Sequence, residues 1–250
     1  MTSGFLGEMI GKEVKEGKFD KAILVTGMTE WHGEHMPLGA DYIAPMALAE
    51  EVAKRVDGVL VLPPIPYGFS PHYSTFPFVI SIRSETLHNL LLDIFDSLNR
   101  NGIKRLLILN GHDGNISIID NASREFRRRH PEFKIAVLEA WWVEIGALLP
   151  KDTFDVWDGL GHGGEGETSL MMAVRPDLVK LEYAKGVVPD LPQHIQIKWN
   201  FEELTPYGVT GDPTKASREK GEKIKKALVD LVVSFLKDMD AKNWEYGYKK

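Results

Sequence analysis

Short runs of apolar residues alternate with longer amphipathic segments along the chain. The apolar runs are Lys21–Gly27, Gly58–Pro64, Arg105–Gly111 and Lys134–Trp141. Each is bounded by glycine, proline or charge, which is typical of parallel strands covered on both faces. Amphipathic segments with apolar residues at helical spacing include Pro45–Val56, Ser84–Asn99 and Ile116–His130. This alternation predicts an α/β fold, a three-layer α/β/α sandwich with a mostly parallel central sheet.

The second half of the chain adds two predicted helices and one irregular stretch. Apolar spacing predicts helices at Thr168–Val174 and Ala216–Asp238. The proline-containing segment Pro189–Pro213 is expected to form a surface loop or flap. No Gly/Ser-rich linker, composition break or internal repeat divides the 250 residues. We therefore expect one domain over residues 1–250.

Composition and charge remove several classes of function. The net charge is −6, and nothing in the sequence indicates the basic face of a nucleic-acid-binding protein. The absence of cysteine excludes disulfides, cysteine nucleophiles and cysteine-ligated zinc. The apolar runs are far shorter than the ~20 residues of a membrane span, and the N-terminus lacks a secretory-signal pattern. We expect a cytoplasmic protein that binds neither nucleic acid nor membranes.

Three polar segments, rich in histidine, carboxylates and glycine, occupy places where an α/β fold binds ligands. Thr29–Asp41 and Asn110–Asn115 directly follow predicted strands, and Gly161–Ser169 leads into a predicted helix. Because ligands bind beyond the carboxyl ends of such strands, the three segments can meet in one crevice. Together they carry four histidines, four glutamates and two aspartates. This ligand set suits zinc, manganese or iron(II), and a carboxylate such as Asp41 can bridge two ions.

Other histidines and one glycine motif have simpler interpretations. Four histidines outside these segments are expected to be structural: His72, His88, His130 and His194. Of these, His72 lies in a loop expected near the site. Residues 159–164 match G-x-G-x-x-G, but they follow no predicted strand, and Glu165 and Glu167 would repel a pyrophosphate. Dinucleotide binding is therefore not expected.

Four motifs occur in the order found in one enzyme family. They are T-E-W-H-G-E-H-M-P-L-G-A-D, L-N-G-H-D-G-N, G-H-G-G-E-G-E-T-S-L and, near Lys215–Glu222, K-A-S-R-E-K-G-E. Through these motifs, over about residues 20 to 235, the sequence resembles the creatininase (creatinine amidohydrolase) family. The resemblance implies a three-layer α/β/α fold, a homohexamer and a hydrolase with two divalent ions per chain, usually zinc or manganese.

The resemblance also implies the metal ligands. By position, Glu30, Asp41 and His112 correspond to the ligands of one ion. His32, Asp41 and Glu167 correspond to the ligands of the other ion, with Asp41 as the bridge. A hydroxide held between the two ions would then attack the substrate carbonyl.

Further positions correspond to residues around the substrate. His162 corresponds to a catalytic histidine, which would pass a proton to the leaving group. Trp157 and Asp158 resemble a pair that flanks the substrate. Asp113 is a further candidate for substrate binding, and either Asp113 or Glu165 is a candidate for orienting a metal-ligating imidazole.

Departures from the family pattern concern the substrate walls. Creatininases proper have a glutamate two residues after the histidine of the N-G-H motif, where this chain has Gly114. Many members carry F-P-G-T where this chain has F-P-F-V, so Phe78 replaces a glycine near the pocket. The spacing from Asp158 to His162 is one residue longer than in creatininase. The expected metal ligands are unchanged.

The family acts on several substrates, and the sequence leaves more than one open. Its members include creatininases, formamide deformylases of flavin and deazaflavin synthesis, a mycofactocin peptidase and a hydrolase of a cyclic inosose diketone. We expect a metal-dependent hydrolase of a small cyclic or amide substrate. Ring opening of a 3-dehydro-scyllo-inosose-type ketone and formamide deformylation are the alternatives. A non-catalytic metal- or ligand-binding protein and a structural subunit of an oligomer are alternatives of another class.

Overall fold

The computed structural model describes residues 3–192, 194–195 and 197–247. Its strands are β1 (Gly4–Phe5), β2 (Lys21–Thr26), β3 (Val59–Val61), β4 (Arg105–Asn110) and β5 (Lys134–Leu138). They form one parallel sheet in the order β1-β3-β2-β4-β5. Thr26 at the end of β2 pairs with Asn110 at the end of β4. The polar segments that follow these two strands therefore begin side by side.

Helices cover both faces of the sheet. They are α1 (Gly11–Glu16), α2 (Ala40–Ala53), α3 (Ser84–Arg100), α4 (Ile116–Arg129), α5 (Trp141–Leu148), α6 (Glu165–Val174) and α7 (Arg218–Ala241). On β2, Ile23 and Val25 share one apolar core with α2, α5, α6 and α7, whereas Ala22 and Leu24 share another with α3 and α4. Successive strand residues point to opposite faces, so helices on both faces explain the continuous apolar run. The predicted α/β/α fold is confirmed.

Some predicted boundaries are wrong, for local reasons. β5 ends at Leu138, and Trp141 instead begins α5 with its side chain buried in the core. α2 begins at Ala40 rather than at Pro45, which lies inside the helix. The sequence pattern did not predict β1 or α1, because β1 is only two residues long and α1 buries no residue.

The described part of Pro189–Pro213 contains no α-helix, as predicted. Its backbone forms a 3₁₀ turn at Phe201–Glu203, and residues 193 and 196 lie outside the described residues. Within residues 3–192, 194–195 and 197–247, none of the helices combines the length and the hydropathy that crossing a bilayer requires.

Candidate metal centre and active site

The three polar segments line one cavity beyond the ends of β2 and β4. The cavity has a volume of about 240 Å³. Its walls consist of Glu30, Asp41, His72, Tyr73, Gly111, His112, Asp113, Trp142, Leu160, Gly161, His162, Glu167 and Phe201. These walls include four carboxylates but neither lysine nor arginine among the residues that the structure describes. Cations are therefore needed to balance the negative charge of the cavity.

Asp41 reaches this cavity because the start of α2 packs closely onto the ends of two strands. A β-carbon on Gly27, after β2, would lie 2.7 Å from the Asp41 carbonyl oxygen, and one on Gly111, after β4, would lie 1.8 Å from it. Only glycine permits this approach. Within the helix, Pro45 lacks the N–H that would otherwise bond the same carbonyl. The local sequence thus fixes where the Asp41 side chain begins.

The carboxylate of Asp41 lies between two histidines. Its Oδ1 atom is 2.8 Å from Nε2 of His32, and its Oδ2 atom is 3.2 Å from Nδ1 of His112. All three side chains are buried. Each oxygen of one carboxylate therefore faces a different imidazole, as a ligand that bridges two ions must.

Glu30 faces His112 from the other side. Glu30 Oε1 lies 3.1 Å from Nδ1 of His112, and Glu30 Oε2 accepts a 2.6 Å hydrogen bond from the hydroxyl of Ser70. Both Glu30 and Ser70 are fully buried. Because the serine engages one carboxylate oxygen, the carboxylate is held with its other oxygen toward His112.

Backbone carbonyls orient the imidazoles. Nε2 of His112 lies 3.1 Å from the carbonyl oxygen of Phe69, and Nδ1 of His32 lies 3.2 Å from that of Glu30. A carbonyl oxygen only accepts, so each of these ring nitrogens carries the hydrogen. The opposite nitrogens, Nδ1 of His112 and Nε2 of His32, then face the carboxylates, where a proton or a metal ion would lie between them.

A backbone carbonyl also orients the imidazole of His162. Its Nε2 atom donates to the carbonyl oxygen of Trp31 at 2.7 Å, and its Nδ1 atom lies 3.7 Å from Oε1 of Glu30. The ring lies against that of His32, with centroids 4.2 Å apart. His162 therefore presents an unprotonated Nδ1 at the edge of the cluster.

Glu167 enters the cluster from the first turn of α6. The N–H of Gly163 donates to Glu167 Oε2 at 2.7 Å, and the same oxygen lies 3.9 Å from Nε2 of His32. Gly163 has a φ of +61°, a conformation that glycine adopts without strain. The glycine-rich turn before α6 thus supplies the backbone donor that positions this carboxylate.

The charges of the cluster favour a cation at its centre. Burial alone lowers the pKa of His32, but Asp41, Glu167 and Glu30 outweigh burial and raise this pKa to about 10. Burial likewise opposes protonation of His112, whereas Glu30 and Asp41 raise its pKa well above the usual range. Burial raises the pKa of Asp41, yet His32 and His112 hold it well below the usual range. Positive charge between these carboxylates is therefore strongly stabilised.

Two other groups of the site have shifted pKa values. Burial raises the pKa of Glu167 to about 7, with Asp41 and Glu30 adding to the rise and His32 opposing it. Burial and the charge of His32 lower the pKa of His162 to about 4, against the effect of Glu30 and Asp41. At pH 7 His162 is therefore neutral and able to accept a proton.

The donor set fits divalent cations. Glu30 Oε1, His32 Nε2 and Asp41 Oδ2 are buried without a hydrogen-bond partner in the described structure. Three groups of side chains each place their ligand atoms within 4.8 Å of one another: Glu30, Asp41 and His112; His32, Asp41 and Glu167; and Glu30, His32 and His162. The first two groups match the predicted ligand sets and share Asp41. Buried, unpartnered ligand atoms grouped in this way suit bound metal ions.

Of the three residues predicted to contact the substrate, one lines the cavity and two lie outside its wall. Asp113 lines the cavity, whereas Trp157 and Asp158 do not. Trp157 and Asp158 lie on an exposed turn with φ values of +51° and +52°, and Trp142 of α5 lies in the cavity wall. Phe78 is 80% exposed and also lies outside this wall.

The described contacts of Glu165 differ from the expected orienting role. Glu165 accepts hydrogen bonds from the backbone of Asp155 at 3.1 Å and of Val156 at 3.0 Å, and it pairs with Lys220 at 2.5 Å. No imidazole is among these partners. An orienting role for Asp113 stays a prediction.

Sequence reasoning missed several residues of the site. Ser70 contacts a predicted ligand, and Tyr73 and Phe201 line the cavity. His72, from a loop expected near the site, lines it as well. Tyr73 and Phe201 are stacked, with ring centroids 3.8 Å apart. Phe201 comes from the irregular loop Pro189–Pro213, where no periodic pattern could indicate which residue turns inward.

Comparison with known proteins places the chain in a family. The family model described as creatinine amidohydrolase matches residues 7–236. The chain belongs to the creatininase family. Creatinine amidohydrolase of Pseudomonas putida is 33% identical, over 94% of this chain and 97% of that protein. A mycofactocin precursor peptide peptidase of Mycobacterium ulcerans (strain Agy99) is 30% identical over 85% and 82% of the two chains.

Other members of the creatininase family extend the range of activities and metals. The 3-dehydro-scyllo-inosose hydrolase of Thermotoga maritima is 27% identical over 95% of this chain and 84% of that protein. A manganese form of creatininase superposes with a TM-score of 0.81 at 33% identity, covering 95% of this chain and 98% of that one. A mutant creatininase of the Zn–Zn type superposes with a TM-score of 0.80 at 34% identity, also covering 95% of this chain and 98% of that one. This family member is a metal-dependent hydrolase.

Proposed function

We propose that this chain is a binuclear hydrolase of a small cyclic or amide substrate, similar in action to creatinine amidohydrolase. The observation that carries the proposal is the position of Asp41, one oxygen of which faces His32 and the other His112. Glu30 completes the ligand set on the His112 side, and Glu167 completes the set on the His32 side. One carboxylate shared by two sets of ligands is the arrangement of a two-metal site.

His162 would accept a proton during the reaction and return it to the leaving group. Two bound divalent ions, zinc or manganese, with iron(II) also compatible with the donors, would activate a water molecule and polarise the substrate carbonyl. Nδ1 of His162 is free to accept a proton, because Nε2 is engaged by the carbonyl of Trp31. With its pKa near 4, His162 returns the proton readily to the leaving group.

The cavity favours a small, uncharged substrate. A volume of about 240 Å³ suits a compact molecule, and no lysine or arginine of the described walls would pair with an anionic group. Creatinine, the substrate named for the 33% identical relative, is one candidate, and Asp113 is proposed to contact the substrate. Trp157 and Asp158 are proposed to contact the substrate from outside the cavity wall.

A second candidate is ring opening of a 3-dehydro-scyllo-inosose-type ketone. The similarity to the Thermotoga maritima hydrolase extends over 95% of this chain. Gly114, next to Asp113 of the cavity wall, departs from the creatininase motif, which also favours a substrate other than creatinine. Deformylation of a formamide is the remaining alternative within the family.

The test combines metal content with turnover on one sample. Protein loaded with zinc or manganese is analysed by plasma mass spectrometry and assayed on creatinine, 3-dehydro-scyllo-inosose and an N-formyl compound. Two ions per chain with turnover support the proposal, and the Asp41→Ala variant should lose both ions. Fewer than one ion per wild-type chain would contradict the binuclear site, and two ions without turnover of any substrate would contradict the hydrolase.

We also propose that the chain acts as one domain over residues 1–250 and assembles as a homohexamer in the cytoplasm. One sheet shared by both apolar cores supports the single domain. Membership of the creatininase family supports the hexamer. Size-exclusion chromatography with light scattering would measure the assembly directly.

A further inference from the structure

Tyr73 is a buried aromatic residue of the cavity wall. It ends the 3₁₀ turn Pro71–Tyr73, and only 2% of its surface is exposed. Its ring is stacked on that of Phe201 at 3.8 Å and lies 4.6 Å from that of His162. Packing on two sides fixes the position of the ring beside the proposed proton carrier.

The hydroxyl of Tyr73 has no hydrogen-bond partner in the described structure. A buried hydroxyl without a partner destabilises a folded protein, so such groups are rare unless they have another role. Outside the proposed ligands, the described chain has three other residues with such atoms: His35, Ser123 and Trp141. None of these three lines the cavity, whereas Tyr73 does. Of these four described residues, Tyr73 is therefore the one that combines an unsatisfied donor with a place in the cavity wall.

The charges of the cavity indicate which atom this donor would meet. Glu30, Asp41, Asp113 and Glu167 contribute carboxylates to the wall, and neither lysine nor arginine lines its described part. A substrate oxygen that gains negative charge during hydrolysis thus meets neither lysine nor arginine in the described part of the wall. A phenol supplies a hydrogen-bond donor without adding a charge.

We infer that Tyr73 donates a hydrogen bond to the carbonyl oxygen of the bound substrate and is a substrate-contacting residue of this enzyme. The inference rests on the proposed hydrolase function. It also narrows the substrate class to molecules that carry a carbonyl oxygen, the acceptor that a buried phenol would meet. In the free protein the hydroxyl remains unsatisfied, and substrate supplies its partner.

Tyr73→Phe tests this inference because it removes only the hydroxyl. Tyr246→Phe, at a residue 79% exposed, is the matched control. Three quantities are measured: thermal unfolding of the metal-free protein, metal content, and kcat/KM on the substrate identified above. Acetohydroxamate, a small carbonyl-containing metal chelator, is also titrated into the metal-loaded proteins by calorimetry.

We expect Tyr73→Phe to keep its full metal content and an unchanged or higher unfolding temperature, since no bond is lost. Its kcat/KM should fall about 10- to 100-fold, and its Kd for acetohydroxamate should rise about 5- to 50-fold. Tyr246→Phe should match the wild type in every measurement.

Other results would overturn the inference. Unchanged kcat/KM and unchanged hydroxamate binding would show that the hydroxyl does not meet the ligand. A clear drop in unfolding temperature would show that the hydroxyl is satisfied in the free protein and has a structural role. If the wild type binds metal but hydrolyses nothing, the proposed function fails, while the hydroxamate titration still decides the role of Tyr73. If it binds no metal, both fail.

Discussion

The imidazole of His112 and the carbonyl oxygen of Phe69 lie 3.1 Å apart, and their contact leaves no room for a side chain at position 114. A β-carbon on Gly114 would lie 2.0 Å from the Phe69 oxygen and 2.7 Å from Nε2 of His112. Creatininases proper have a glutamate at this place in the motif. In this chain a backbone contact that orients the histidine occupies the space.

Gly114→Ala should therefore weaken metal binding. The new methyl group must push His112 or the Phe69 backbone aside, which turns Nδ1 of His112 away from Glu30 and Asp41. Loss of such an orienting contact typically costs about 10- to 100-fold in metal affinity. Competition with a zinc chelator measures the effect. Gly11→Ala, where a β-carbon meets nothing within 4 Å, should bind zinc like the wild type.

Two histidine deletions should separate metal binding from proton transfer. His112→Ala removes a proposed ligand, so both bound metal and turnover should be lost. His162→Ala should retain two ions per chain and lose turnover by about 10²- to 10⁴-fold, the range for loss of a general acid–base group. Metal analysis and kcat, measured on the same preparations, distinguish a metal ligand from a proton carrier. Full kcat in His162→Ala would refute its catalytic role, and lost metal would make it a ligand.

Ser70→Ala tests whether the serine hydroxyl positions the carboxylate of Glu30. The hydroxyl donates to Glu30 Oε2 at 2.6 Å in a fully buried place, so its loss leaves a carboxylate oxygen unpartnered and the side chain free to rotate. Zinc affinity should fall about 10-fold or more. Ser74→Ala, at an exposed residue of the same loop, is the control. Equal zinc affinity in the two variants would mean that Ser70 does not position Glu30.

The sequence was sufficient to predict the layers of the fold and the ligand-bearing segments, because both follow local rules. Apolar runs such as Lys21–Gly27 can be buried only between two layers of helices. Polar segments after β2 and β4 meet because parallel strands end at the same edge of the sheet. The pairing of Thr26 with Asn110 confirms this adjacency.

The remaining parts of the site depend on contacts between distant residues. Ser70 and Glu30 are 40 positions apart, and Phe201 joins Tyr73 from an irregular loop without periodicity. Trp157 and Asp158 have a left-handed backbone and lie outside the cavity wall, although their order in the motif suggested that they line it. Only packing of the whole chain determines these positions.

Stability of the metal-free protein should fall as the pH drops from 6.5 to 4, partly through His35. Burial and the charge of His32 lower the pKa of His35 to about 4, so the unfolded chain binds this proton more readily than the folded one. The contribution is complete above pH 6.5, is lost toward pH 4, and amounts to roughly 2–3 kcal/mol. Urea unfolding at several pH values measures it.

His35→Gln removes this proton-binding group while leaving an amide to meet the hydroxyl of Thr168, which now lies 2.9 Å from Nε2 of His35. The difference in unfolding free energy between pH 7 and pH 4.5 should therefore shrink in this variant. His194→Gln, at an exposed histidine, should keep the wild-type slope. The same slope in both variants would exclude His35 as a source of the acid sensitivity.

Lys220→Met should destabilise the fold far more than loss of a surface lysine. Lys220 Nζ lies 2.5 Å from an oxygen of Glu165, which is fully buried. Without the lysine this carboxylate loses its counter-ion, which typically costs about 3 kcal/mol. Lys226→Met, whose exposed lysine pairs with Asp230, should cost below about 1 kcal/mol. Adding Glu165→Gln to Lys220→Met should recover stability, because no buried charge then remains unpaired; urea denaturation of the four proteins would show whether it does.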